Sequence, residues 1–108
     1  MKSIKFDDRL YVGDNIRNIR KVKWKLRHHA GQIRVFVITL AEGSDQLEIY
    51  HCAFLQQRYY KMNPPHVVGV AAGYDEAVQL VQRMVEDVLA ETGDCRLKDY
   101  FLTGGKID

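Results

Sequence analysis

"IRVFVITL", residues 33–40, decides the fold because almost every side chain in it is apolar and most are β-branched or aromatic. Such a run predicts a β-strand that is covered on both faces, since alternate side chains of a strand point in opposite directions. This run is followed by a predicted turn at residues 41–45 and a second predicted strand at residues 46–55. Residues 66–73, "HVVGVAAG", predict a further strand, in which Gly69 allows a neighbouring element to approach closely.

Residues 21–27, "KVKWKLR", alternate strictly between cations and apolar side chains. This period of two predicts a strand that buries Val22, Trp24 and Leu26 and turns its cations to solvent. Trp24 is the expected anchor, because its ring has the most apolar area to bury. With residues 33–40 and 46–55, this strand would complete an antiparallel β-meander.

Residues 75–92 carry the clearest helical pattern in the chain. Ala77, Val81, Met84 and Val88 recur at spacings of three and four, and Gly93 is a suitable stop. We therefore predict an α+β fold, in which a mainly antiparallel sheet of four to five strands packs one face against this helix.

Weaker signals lie at the two ends of the chain. Residues 9–13, "RLYVG", are compatible with a short strand, and residues 14–20, "DNIRNIR", with a helical turn. Residues 97–102, "LKDYFL", suit a last helical turn that packs Tyr100 and Phe101.

Size and composition are those of one globular domain, residues 1–108. Hydrophobic residues make up 46% and charged residues 28% of the chain, so it should fold without metal or disulfide. The longest apolar run is too short to cross a bilayer, and the first residues lack a signal core. Cys52 and Cys95 have no metal-ligand spacing, so we expect reduced thiols and a cytoplasmic location without membrane attachment.

The chemistry-bearing residues form no catalytic pattern. His51 and Cys52 are neighbours in a predicted strand, so their side chains should point to opposite faces. The four histidines have no metal-ligand spacing, and the "GVAAG" turn lacks the lysine of a phosphate loop. Asp75 and Glu76 would also repel an anion there. We therefore expect a non-enzymatic protein without metal or cofactor.

Charge is distributed unevenly along the chain. Residues 1–34 contain ten Lys or Arg and three Asp, a balance of +7, and residues 35–108 have a balance of −5. This polarity suits an acidic partner or pairing between copies. The candidate nucleic-acid-binding residues are six cations and two tyrosines as stacking groups: Arg17, Arg20, Lys21, Lys23, Lys25, Arg27, Tyr59 and Tyr60. The alternative is a solvated strand face whose lysines discourage edge pairing.

The order of a short helix, three meandering strands and a final helix resembles the double-stranded-RNA-binding domain. The resemblance implies a lysine-rich, phosphate-gripping motif at the start of the last helix, where this chain has "GYDEAVQL", residues 73–80. A proline-containing loop and a fourth strand before the helix also differ. The function of that family is therefore not transferred.

One helix can cover only one face of a sheet, which leaves half of residues 33–40 in need of cover. The tail aromatics Tyr100 and Phe101, or a second copy of the chain, would supply it. We therefore expect a homodimer, and the leading interpretation is a small interaction module that self-associates through sheet surface or edge. Nucleic-acid binding through residues 21–27 is the first alternative. The second is a small-ligand site between the loop of residues 56–65 and the sheet, which an aromatic-lined concavity there would favour.

Overall fold

The computed structural model describes residues 4–41 and 46–102 as one four-stranded sheet with helices packed on both faces. The strands are β1 (Lys5–Val12), β2 (Val35–Leu40), β3 (Leu47–His51) and β4 (His66–Ala72). The α-helices are α1 (Ile19–Arg27), α2 (Arg58–Met62), α3 (Tyr74–Thr92) and α4 (Leu97–Leu102), and a 3-10 helix covers Cys52–Gln56. The predicted α+β fold is confirmed at this level.

The sheet is mixed, so the prediction of a mainly antiparallel sheet is wrong. Its strand order is β1-β4-β2-β3. β2 pairs antiparallel with both β3 and β4, whereas β1 pairs parallel with β4, with Lys5 opposite His66. The predicted meander fails because its first segment is not a strand, and β4 takes the free edge of β2 instead.

Residues 21–27 form most of helix α1, and the prediction of a strand there is wrong. Ile19, Val22 and Leu26 are spaced by three and four, so they share one face of a helix. The side chain of Asn18 caps the first turn by accepting the N–H of Lys21 at 3.1 Å. Trp24, which was expected in the core, lies on the opposite face and is 56% exposed.

The face of the sheet under α3 and α4 is sealed at its centre, and a smaller cleft of about 220 Å³ lies at its edge between β1 and α4. The prediction of a helix at residues 75–92 is confirmed, and Met84 is completely buried against the sheet. A Cβ on Gly69 would lie 2.8 Å from Ile38 Cδ1 and 2.9 Å from Met84 Cε, so this glycine gives both side chains their room. Gly93 adopts the left-handed conformation that ends α3, as predicted.

The tail prediction is also confirmed. Residues 97–102 form α4, and Tyr100 and Phe101 are buried in the same core cluster as Met84. The predicted strand at residues 9–13 is the second half of a longer strand, β1, and the predicted helical turn at residues 14–20 overlaps only the start of α1.

The opposite face of the sheet is covered by α1 and by the 3-10 helix. Leu26 of α1 and Leu55 of the 3-10 helix pack there against Val37 of β2, which is fully buried. Its neighbour Ile38 is fully buried on the α3 side. The double-sided strand is therefore confirmed, and both of its faces are covered within the chain. That removes the original reason for expecting a dimer through β2, although the oligomeric state itself stays a prediction.

Two segment predictions need smaller corrections. The strand predicted at residues 46–55 ends at His51, whose Nδ1 accepts the N–H of Ala53 at 3.0 Å and so starts the 3-10 helix. The loop predicted at residues 56–65 contains the short helix α2. The predicted turn at 41–45 lies, apart from Ala41, outside the described residues. Within the described ranges, every helix is too short or too polar to span a membrane.

Candidate functional site

Helix α1 presents an aromatic residue in the middle of a cationic surface. Successive residues of a helix turn by about 100°, which places Trp24 near the centre of the solvent face of α1. Arg20 and Arg27 then lie on one side of it, and Lys21 and Lys25 on the other. The Trp24 ring stacks on His28 with a centroid distance of 4.1 Å and an angle of 20°. The His28 Nδ1–H donates to the Trp24 carbonyl at 2.7 Å, which holds the stack in place.

Beside this surface lies a cleft of about 680 Å³, which we call the basic cleft. Its cations are Arg17, Lys21, Lys25 and Arg34, and they come from the loop before α1, from α1 itself and from the segment before β2. None of these four forms an ion pair with any residue in the described ranges. Its described lining also includes no carboxylate.

Three amide side chains complete the polar lining of the basic cleft: Asn15, Asn18 and Gln32. The Nε2 of Gln32 is buried and has no hydrogen-bond partner among the described residues. A buried amide N–H without a protein acceptor is unusual in a folded protein. The cleft therefore combines hydrogen-bond donors with positive charge, which is the chemistry that binds phosphate oxygens.

A buried carboxylate fixes the loop that forms one wall of the basic cleft. Glu76, in the first turn of α3, accepts the N–H of Ala72 at 2.9 Å and that of Asn15 at 3.2 Å. A third bond comes from the Asn15 side chain at 2.5 Å. Gly13 packs directly on this carboxylate, since a Cβ there would overlap its oxygen Oε1. Glu76 thus occupies the position in the "GVAAG" turn that a phosphate would need, and it braces the loop leading into α1.

The six cations predicted as a nucleic-acid site are divided among three surroundings. Arg17, Lys21 and Lys25 line the basic cleft, and Arg20 lies on the open face of α1. Lys23 and Arg27 turn towards β1, where they lie 5.4 Å and 4.8 Å from the centre of the Phe6 ring. A strand would have put Lys21, Lys23, Lys25 and Arg27 in one row, whereas the helix separates them.

Tyr59 and Tyr60, the predicted stacking groups, belong to a different cleft at the opposite end of the sheet. This aromatic cleft has a volume of about 740 Å³ and lies between α2, the Pro64–Pro65 segment and the ends of β2 and β3. The full described lining is Thr39, Leu40, Glu48, Tyr50, Tyr59, Tyr60, Asn63, Pro64, Pro65 and His66. It lies between residues 56–65 and the sheet, which is where the small-ligand alternative would place its site. The aromatic residue that the structure brings to the cations of α1 is Trp24.

The side chains of His51 and Cys52 are each engaged elsewhere. His51 uses Nδ1 for the Ala53 N–H and donates from Nε2 to the Ile33 carbonyl at 2.7 Å. The Cys52 thiol donates to the Gln32 carbonyl at 3.3 Å, and burial raises its pKa. A thiol whose pKa is raised is a poor nucleophile at neutral pH. Across residues 4–41 and 46–102, we find no group of three or more His, Cys, Asp or Glu side chains arranged to hold a metal ion.

Sequence reasoning missed Gln32 and the exposure of Trp24. The spacing of Ile19, Val22 and Leu26 was the signal that could have revealed both the helix and the outward position of Trp24. Gln32 lies in a loop and carries no local signal of its own. No protein-family model, curated protein or solved structure gives a significant match to the chain.

Proposed function

We propose that this chain is a non-enzymatic module that binds single-stranded nucleic acid through helix α1. Trp24 stacks on a base, and the surrounding cations contact the phosphates on either side of it. The observation that carries the proposal is an exposed tryptophan on a helix face that also presents Arg20, Lys21 and Lys25. Proteins that bind single strands combine a positive surface with such an aromatic platform, because every base has a face that can stack.

The basic cleft extends this surface and supplies a place for a phosphate group. Arg17 and Arg34 add cations that have no described partner, and Gln32 adds a buried N–H donor. Nucleic-acid phosphates would provide the acceptors that these donors lack. The concentration of positive charge in residues 1–34 would also speed the approach of a polyanion. A cytoplasmic location is part of the proposal, and the free thiols of Cys52 and Cys95 agree with it.

The first test is a titration with a fluorescein-labelled oligodeoxythymidine in low salt. Trp24 is the single tryptophan of the chain, so stacking on a base should quench the intrinsic fluorescence directly. If all five cations of this surface and the basic cleft (Arg17, Arg20, Lys21, Lys25 and Arg34) contact phosphates of a single strand, log affinity should fall with log salt at a slope of about −3.5, roughly −0.7 for each contact. Absence of any binding at ~50 mM salt would refute the proposed function.

Charge-reversal variants test whether the oligonucleotide binds at α1. Lys21→Glu combined with Lys25→Glu should remove most of the binding. The matched control is Arg58→Glu combined with Lys61→Glu, which makes the same change in net charge on the exposed surface of α2. If both double variants lose affinity equally, binding is a general effect of net charge and the assignment to α1 is wrong.

Self-association through the sheet edge is the second proposal. β3 has β2 as its one described neighbour, so its outer edge has no described pairing strand. Ile33, which is 91% exposed, and Phe54, which is 47% exposed, lie by the last residues of this strand. Light scattering at micromolar concentration tests it, and a mass of 12.5 kDa, that of one chain, would refute the dimer.

A further inference from the structure

The aromatic cleft presents three tyrosine rings in succession. Tyr50 and Tyr60 have ring centres 5.5 Å apart with their planes inclined by 33°, and Tyr60 and Tyr59 have centres 5.2 Å apart with their planes at 88°. The ring planes therefore turn through roughly a right angle around the cleft. Tyr59 is 53% exposed, so part of this aromatic wall is accessible to a ligand.

The charge in the aromatic cleft is opposite to that in the basic cleft. Glu48 lies on β3 two residues before Tyr50, so both side chains project from the same face of the sheet. Glu48 is exposed and forms no ion pair with a described residue. The other titratable non-tyrosine group in the lining, His66, is already bonded to Asp7 at 2.8 Å. No lysine or arginine lines the described part of this cleft.

We propose that the aromatic cleft binds a quaternary or methylated ammonium group. The faces of aromatic rings are electron-rich and attract a cation most strongly when it sheds its water, which alkylated ammonium groups do readily. Glu48 adds a negative charge beside the rings. The volume of about 740 Å³ falls within the usual range for small-ligand sites. This site is at the opposite end of the sheet from α1, so it does not depend on the nucleic-acid proposal.

The aromatic wall is backed by buried side chains. Thr39, which lines the same cleft, is buried. Tyr50 and Tyr60 also pack on the core cluster beneath them, so two of the three rings are held before a ligand arrives. Rings that are held in advance cost less entropy to organise around a ligand.

The experiment compares choline with 3,3-dimethyl-1-butanol, a neutral molecule of nearly the same shape. Two-dimensional NMR titrations of the full chain should show choline-dependent shifts centred on Tyr50, Tyr59 and Tyr60. We expect choline to bind more tightly than the neutral alcohol by roughly two- to thirtyfold, the range set by cation–π energies. Equal affinity for the two probes, or no shift with either, would overturn the proposal.

Two variants test the residues directly. Glu48→Gln should weaken choline binding and leave the alcohol unchanged, whereas Tyr59→Leu should weaken choline more than the alcohol. Both positions are exposed, so the fold should be retained and the amide spectrum will verify it. Glu86→Gln, which removes an exposed carboxylate from α3, is the matched control. Unchanged choline affinity in both cleft variants would refute the assignment.

A last comparison distinguishes the sources of the cation. A short Gly/Ser peptide with one trimethyl-lysine is titrated beside its unmethylated twin and beside free choline. Tighter binding of the trimethylated peptide supports a methylated side chain of a protein, and tighter binding of choline supports a free small molecule. If a proline-rich peptide shifts the three tyrosines while choline does not, the cleft recognises an extended peptide and the cation proposal is wrong.

Discussion

The two faces of the sheet are built from similar apolar side chains, yet one is sealed at its centre by a long helix and the other has a large cleft at each end. Under α3, Leu80, Met84 and Val88 are buried together with the side chains of α4. On the α1 side, a second cluster of buried apolar side chains fills the middle of the face. The basic cleft lies where β4 ends and β2 begins, and the aromatic cleft lies where β2 ends and β4 begins.

Helix length explains this difference. At about 1.5 Å per residue, α3 with its 19 residues is roughly 28 Å long, whereas α1 with its 9 residues is only about 13 Å long. β4 has 7 residues and spans about 23 Å at roughly 3.3 Å per residue. A long helix therefore covers the whole strand, and a short one leaves space at its ends. Substitutions on the sealed face should therefore lower mainly the stability of the fold. Substitutions on the open face should lower mainly the affinity for ligands.

Met84→Asp should break the sealed face and have the largest effect on stability. The change buries an unpaired carboxylate where no polar partner is near, at a cost of about 3–5 kcal/mol in the free energy of unfolding. Gln82→Asp, on the exposed side of the same helix, should change it by less than about 0.5 kcal/mol. Urea denaturation followed by circular dichroism compares the two. Equal midpoints would mean that the orientation of α3 is wrong.

Gly13→Ala should affect both faces at once, because Gly13 lies against the carboxylate of α3 that anchors the loop before α1. The added methyl overlaps Glu76, so we expect a loss of about 1–3 kcal/mol together with weaker oligonucleotide binding. Gly31→Ala is the control, since the nearest atom to a Cβ there, Gln56 Nε2, is 3.7 Å away. A Gly13→Ala protein as stable as the Gly31→Ala protein would show that the loop adapts freely.

The open face should lose stability in alkali through Tyr50. Burial raises the pKa of Tyr50 from 10.0 to about 12. The unfolded chain therefore releases this proton first, so the stabilising contribution is complete below pH 10 and is lost as the pH rises towards 12. Urea denaturation across this range should give a shallower decline for Tyr50→Phe than for the parent chain. Identical declines would mean that Tyr50 ionises as it does in the unfolded chain.

Trp24→Ala should have the smallest effect on stability, although it removes the largest side chain of α1. Trp24 is 56% exposed, so the free energy of unfolding should change by no more than about 0.5 kcal/mol. Oligonucleotide affinity should nevertheless fall by about 1–3 kcal/mol, the usual worth of one base–aromatic stack. A large loss of stability with unchanged affinity would reverse the roles assigned to the two faces.

The sequence alone was sufficient for elements in which the hydrophobic pattern fits only one type of secondary structure. Residues 75–92 have a helical stripe and a glycine stop, and residues 33–40 are apolar on both sides, so α3 and β2 were predictable. Residues 21–27 satisfy two periods, because positions 22, 24 and 26 alternate while positions 19, 22 and 26 recur at helical spacing. The cap at Asn18 and the packing of α1 on the sheet favour the helix over the strand. The packing is a tertiary interaction, which the local sequence does not reveal.

The candidate site was predictable in composition and unpredictable in arrangement. The cations of residues 17–27 were recognisable, but their division between the basic cleft and Phe6 depends on the helix. Gln32 and Arg34 enter the cleft from a loop whose path is set by β2. The parallel pairing of β1 with β4 joins residues 61 positions apart, as Lys5 and His66 demonstrate, and no local pattern encodes such a partner.

That parallel pairing has a consequence for the order in which the chain folds during synthesis. β2 and β3 are neighbours in sequence and can pair as soon as both have left the ribosome. β1 emerges first but has no partner until β4 follows, which at roughly 5–20 residues per second takes about 3–12 s. Through that interval the N-terminal strand remains without its pairing strand, and the cationic helix after it lacks Val67 and Val70 of β4, which belong to its core cluster. Translation pauses upstream of residue 66 would lengthen the exposure of that strand to chaperones and to nucleic acid near the ribosome.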